Sequence, residues 1–143
     1  MPDIFHDFPI AASAARVFDG ISTPAGLDEW WTRRSAGKPE PGAEYMLEFG
    51  SEYDWRARVA RVQPQRSFEL EITRADGDWN GTRVGFELAQ KGAATQVCFH
   101  HTGWPRDNEH YRISCYCWAM YLRILRRHLE HGERVPYEQR LLV

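Results

Sequence analysis

Apolar residues recur at every second position through most of the chain and at helical spacing near its end. Ile4 to Ile10 reads as a first strand, with Pro9 near its close. Ser13 is placed to cap a short helix from Ala14 to Gly20, whose apolar side carries Val17 and Phe18. Thr23-Pro24 opens a second short helix through Leu27 to Trp30 and Trp31, with Pro24 suited to the first turn. Ser35 to Gly42 holds two prolines and two glycines and reads as loop.

A series of strands follows. Ala43 to Gly50 sets Tyr45, Leu47 and Phe49 against Met46 and Glu48, and Tyr53 to Val62 sets Tyr53, Trp55, Ala57 and Val59 against Asp54, Arg56 and Arg58. Ser67 to Arg74 alternates Phe68, Leu70 and Ile72 with Glu69, Glu71 and Thr73. Thr82 to Ala89 carries Val84, Phe86 and Leu88 on one face, and Ala94 to Thr102 completes the set. Gln63 to Arg66, Asp76 to Gly81 around Trp79, and Lys91-Gly92 are turns. Such alternation predicts a sheet with one covered and one wet face, and connections this short favour antiparallel neighbours. A bulge near Ala60-Arg61 would reverse the face assignments beyond it.

Asn108 can cap a long helix from Glu109 to His131, ended by Gly132 with Pro136 beyond. At about 100° per residue, Arg112, Tyr116, Ala119, Arg123, Arg126, Arg127 and Glu130 form one stripe. Ser114, Cys117, Trp118, Tyr121, Leu125 and His128 lie opposite, and Ile113, Met120 and Ile124 widen the apolar arc. Only the sheet is large enough to cover that arc. The pattern therefore predicts one α+β domain over residues 1–143, a curved antiparallel sheet closed by a C-terminal helix.

Composition sharpens this picture in one respect. Six Trp, six Tyr and seven Phe make up 13% of the chain, an excess that fits a ligand pocket as well as a core. Eighteen basic against twenty acidic residues, a net charge of -2, offer no general attraction for nucleic acid. Three cysteines without a framework spacing read as reduced thiols in a cytoplasmic protein. The N-terminus has no basic stretch followed by an apolar run, and no segment is long and apolar enough to span a membrane.

Several stretches resemble a known family: Ala14-Ala15-Arg16-Val17-Phe18-Asp19, Thr23 to Trp31, Pro41-Gly42 before a strand, His101-Thr102-Gly103-Trp104 at a strand end, and the Trp118, Leu122, Leu125, Leu129 to Gly132 ending. Together they are similar to the START-like (SRPBCC) superfamily, in its branch of heat-shock-protein ATPase activator homologues. The resemblance implies the helix-grip fold, and a family that ranges from lipid carriers and hormone receptors to aromatic-ring cyclases. It also implies that one of Trp30 and Trp31 shapes the mouth of a cavity. The eukaryotic activator that names the branch has a separate chaperone-binding N-terminal domain. This chain opens directly on the START-like strand, so the chaperone role is not carried over.

The leading expectation is a site for a small apolar or aromatic ligand between sheet and helix. Its expected lining is Trp30, Trp31, Tyr45, Phe49, Trp55, His101, Trp104, Ser114, Trp118 and Tyr121, with His101, Ser114 and Tyr121 as polar anchors. The same rings can instead fill a solid core. Adjacent His100 and His101 point to opposite faces, and counting from Val97 and Phe99 turns His101 inward. There it is a polar anchor, a base near His110 or His128, or a buried imidazole satisfied by a hydroxyl or carbonyl. A cyclase- or hydrolase-like enzyme would need such a base. Glu48, Glu52 and Asp54 around a turn could pair for acid–base work, but alternation puts Glu48 and Asp54 on the wet face. Cys115 and Cys117 stand about 200° apart on the helix and cannot share a metal, and no cofactor motif appears. Arg123 and Arg127 offer a patch for a protein partner, and either a monomer or a homodimer fits.

Overall fold

The computed structural model describes residues 2–50 and 54–143, so Glu52 and Tyr53 lie outside the described residues. The elements run β1 (Ile4–Ile10), α1 (Ala14–Ser22), α2 (Pro24–Leu27), β2 (Arg34–Ala36), β3 (Glu44–Glu48), β4 (Asp54–Gln63), β5 (Ser67–Arg74), β6 (Arg83–Lys91), β7 (Ala94–Thr102) and α3 (Glu109–His131). Short 3-10 turns occupy Gly77–Trp79 and Tyr137–Leu142. The strands form one antiparallel sheet in the order β1-β7-β6-β5-β4-β3-β2, and α3 packs across it. This is the helix-grip fold.

Local chemistry explains the boundaries. Ser13 accepts from the Arg16 N–H to start α1. That helix runs to Ser22, past the expected Gly20, because the Ser22 hydroxyl bonds back to the Phe18 carbonyl at 2.6 Å. Helix α2 stops at Leu27, short of the expected Trp30-Trp31. The N–H groups of Trp30, Trp31 and Thr32 all turn back onto the Leu27 carbonyl, which closes the helix in tight turns. Asn108 caps α3 by accepting from Tyr111 N–H at 3.0 Å, and Gly132 ends it at φ 69°.

Two elements depart from the sequence reading. Arg34–Ala36, whose last two residues were read as loop, is a seventh strand paired with β3. It is too short for periodicity to reveal, and it is pinned by the Ser35 hydroxyl on Asp28 at 2.8 Å. Ile113, assigned to the apolar arc of α3, is 51% exposed. A bulge does fall near Ala60-Arg61: the β4–β5 register slips between Val59 and Arg61, after which Val62 packs against the core in place of odd-numbered residues.

The covered face of the sheet carries the alternating residues of every long strand, with Tyr45, Leu70, Phe86 and Phe99 among them. The wet face is laced by ion pairs, including Arg58–Glu71 and Arg83–Glu69. Here His100 reaches across β6 to Glu69 at 2.8 Å. The register sets Glu69, Gly85 and His100 in one row, so Gly85 is the notch over which the imidazole lies. A Cβ at Gly85 would stand 2.7 Å from two His100 ring atoms and 2.9 Å from the Phe68 carbonyl. Gly85→Ala should therefore destabilise the fold by about 1–3 kcal/mol, read as a lower urea midpoint at unchanged slope. An unchanged midpoint would show that the row can shift freely.

Candidate functional site

Beneath the N-terminal half of α3 lies a hollow of about 190 Å3, lined by Trp31, Trp55, Trp79, His110, Ile113, Ser114, Cys117, Trp118 and Tyr121. Helical spacing aims His110, Ser114, Cys117, Trp118 and Tyr121 at it from one side. The turns after α2 bring Trp31, the start of β4 brings Trp55, and the 3-10 turn brings Trp79. The rings hold one another in a closed circuit. Trp31 meets Trp118 at 5.3 Å, Trp118 stacks on Trp79 at 5.6 Å, and Trp79 meets Trp55 at 5.1 Å. Phe49 closes it, 5.0 Å from Trp55 and 5.4 Å from Trp31.

A chain of hydrogen bonds stands behind this wall. The Trp118 indole N–H donates to His101 Nδ1 at 3.0 Å, and His101 Nε2 meets the Thr82 hydroxyl at 2.8 Å. Thr82 in turn donates to the Trp79 carbonyl at 2.6 Å. An indole nitrogen only donates, so His101 Nδ1 holds a lone pair and the proton sits on Nε2. Burial pushes the His101 pKa down to about 3, with the nearby His100 and His110 adding to the effect. His101 is thus a neutral, doubly bonded structural imidazole. The Trp79 indole N–H donates to Ser114 Oγ at 3.2 Å.

The Trp55 Nε1–H is buried and has no partner among the described residues. Tyr121 is half-buried, and its hydroxyl pKa is pushed up to about 12, chiefly by burial, so it stays a neutral donor. At the mouth, Asp78 accepts from Asn108 at 2.9 Å and stands 3.7 Å from His110 Nδ1.

Of the residues expected in the site, Trp31, Trp55, Ser114, Trp118 and Tyr121 line the hollow. Trp30, Phe49, His101 and Trp104 lie behind it as packed supports, each in ring contact with a lining residue. Tyr45 is elsewhere in the core, donating to the Ser22 carbonyl at 2.5 Å and packed against Phe68. Trp79 was missed because turn residues surround it. The available signal was an indole within Asp76 to Gly81, where turn chemistry has no need of one. His128 lies off this site, bonded to the Glu133 carbonyl at 3.0 Å. Glu48 and Asp54 are cross-strand neighbours, but each is held by arginines, Glu48 by Arg33 and Arg34 and Asp54 by Arg56. Among the described residues no three His, Cys, Asp or Glu side chains gather to hold a metal, and no helix is long and apolar enough to cross a membrane.

A curved sheet gripping a long helix over an aromatic hollow defines a START-like protein. Within that class, the chain belongs to the family of Activator of Hsp90 ATPase homolog 1-like proteins, whose model matches residues 11–130. It is similar to the Aha1 dimer of Colwellia psychrerythraea, with 25% identity and a TM-score of 0.83 over 93% of this chain and 99% of that one. A protein of Staphylococcus saprophyticus, at 18% identity and a TM-score of 0.78, is covered over 94% of this chain and 96% of its own. CalU16 from Micromonospora echinospora gives 17% and 0.76, over 96% and 83%. These last two likenesses speak to fold alone. No curated protein matches the chain.

The buried neutral His101 makes a pH prediction. The unfolded chain takes up this proton near pH 6.5, the folded one only near 3, so its contribution is complete above 6.5 and is lost as pH falls through that window. The loss should approach about 1.4 kcal/mol per pH unit. Urea unfolding from pH 7 to 4 on wild type and His101→Gln should give curves that converge on acidification. Parallel curves would show that His101 is not buried neutral.

Proposed function

We propose that the hollow binds a small, flat, largely apolar molecule that presents a hydrogen-bond acceptor. One observation carries the reading: Trp55 lines the hollow, and its buried indole N–H has no partner among the described residues. A buried donor without an acceptor is destabilising by about 1–3 kcal/mol, so a ligand carbonyl or ether oxygen would relieve it. Tyr121, and Ser114 through its own hydroxyl proton, are further donors on the same wall. Among the described residues no carboxylate lines the hollow to receive a cation. Stacking against Trp31, Trp79 and Trp118 would supply most of the affinity, at about 25 cal/mol per Å2 of apolar area. Binding is favoured over catalysis by His101 because that imidazole, behind the wall, has both nitrogens engaged. The dimeric state of the Colwellia relative supports the same assembly for this chain.

The test uses 9-fluorenone and fluorene, which share a ring system and differ by the carbonyl. Titrated into 15N-labelled protein, fluorenone should shift the Trp55 indole resonance and bind about tenfold more tightly than fluorene. Trp55→Phe should erase that difference while leaving binding itself. If neither compound shifts the hollow's resonances saturably, the reading fails.

A further inference from the structure

Helix α3 runs beside β1, and the seam between them is fastened at both ends. The Tyr111 hydroxyl donates to the Asp3 carbonyl at 2.7 Å, and His6 Nε2 meets the Cys115 carbonyl at 3.3 Å. At the far end the Ala11 N–H donates to Glu130 at 2.7 Å. Between these fastenings the seam gapes into a groove of about 170 Å3, lined by His6, Asp7, Phe8, Ala119, Leu122, Arg123 and Arg126.

The groove has an apolar floor and a cationic rim. Phe8, Ala119 and Leu122 make the floor. Arg112, Arg126 and Arg127 are each paired, with Asp107, Glu130 and Glu133 respectively. Arg123 alone among the arginines of α3 has no carboxylate partner among the described residues. Asp7 pairs with Cys98 across β1–β7, and alternation turns its side chain to the exposed face of the sheet, away from α3.

Backbone geometry adds a donor. β1 is an edge strand, and Pro9 within it has no N–H, so the Pro9–Gln96 pair is a non-hydrogen-bonded one. Residues of the same parity then turn their main-chain groups away from β7. Two of them, Asp3 and Ala11, are those that α3 engages, through Tyr111 and Glu130. Asp7 shares that parity and borders the groove, so its N–H is free to donate there.

We propose that this gap is a second binding site, distinct from the aromatic hollow, for a small amphipathic anion. A carboxylate would sit between Arg123, Arg126 and the Asp7 N–H, with a short aliphatic tail on Phe8, Ala119 and Leu122. Charge complementarity decides the head group: the rim offers an unpaired guanidinium and a main-chain donor.

Hexanoate is the probe, titrated into the 15N-labelled full chain beside acetate and hexan-1-ol. Hexanoate should shift the Asp7, Leu122 and Arg123 amides saturably, about tenfold more tightly than either control. Arg123→Gln, at an exposed position, should weaken hexanoate about tenfold while leaving hexanol binding and the urea midpoint unchanged. Equal affinity for acetate, equal affinity in Arg123→Gln, or shifts confined to Ser114 and Cys117 in the hollow would each overturn the proposal. The outcome is independent of whether the hollow binds fluorenone.

Discussion

The hydrogen bond from the Trp118 indole to His101 ties α3 to the sheet at its most buried point, and the rest of the site follows from it. It fixes the imidazole tautomer, which directs Nε2–H to Thr82, and Thr82 in turn holds the turn that carries Trp79. Helix, strand β7 and the β5–β6 turn are therefore set by one polar chain inside an apolar region. Every member of that chain is satisfied, which is the condition under which buried polar groups specify a core instead of weakening it. A half-made version would leave desolvated donors and acceptors, so helix and turn are placed together or not at all.

That chain also explains why the hollow does not collapse. Small voids are filled when side chains relax inward, and an unfilled one is destabilising by about 24 cal/mol per Å3. Here the wall consists of large rings, each delivered by a different element and each in contact with the next. Trp79 and Trp118 are held further by their N–H groups, on Ser114 and His101. Moving any ring inward breaks a stack or a buried hydrogen bond. Trp55 is held by a ring contact on either side, and its N–H has no partner among the described residues.

Much of the fold was legible because the long elements are governed by periodicity. β1, β5, β7 and α3 fall within the residues their patterns predicted, and the caps at Asn108 and Gly132 are local chemistry that a sequence displays. The strand Arg34–Ala36 was not legible: three residues carry no period, and their pairing depends on β3 being present. The site was legible by half. Ser114, Trp118 and Tyr121 could be found because helical spacing sets their direction. Trp79 and the supporting roles of His101 and Trp104 depend on how a turn folds back over the sheet, which no spacing states. Tyr45 was drawn into the site by alternation alone. Alternation reports the covered face of a strand but not the position beneath it.

The two recesses flank one helix and differ in what they can accept. Trp118 and Ala119 are neighbours in sequence, and the turn of about 100° between them sends one to the aromatic hollow and the other to the groove beside β1. The hollow offers neutral donors and rings. The groove offers guanidinium groups over an apolar floor. An anion entering the hollow would meet no Lys or Arg among the described lining residues, whereas the groove sets Arg123 and Arg126 beside it. Family membership fixes neither preference, since a fold of this kind hosts many activities. Both proposed preferences rest on side chains this sequence places on opposite flanks of α3, with Leu122 on the groove side.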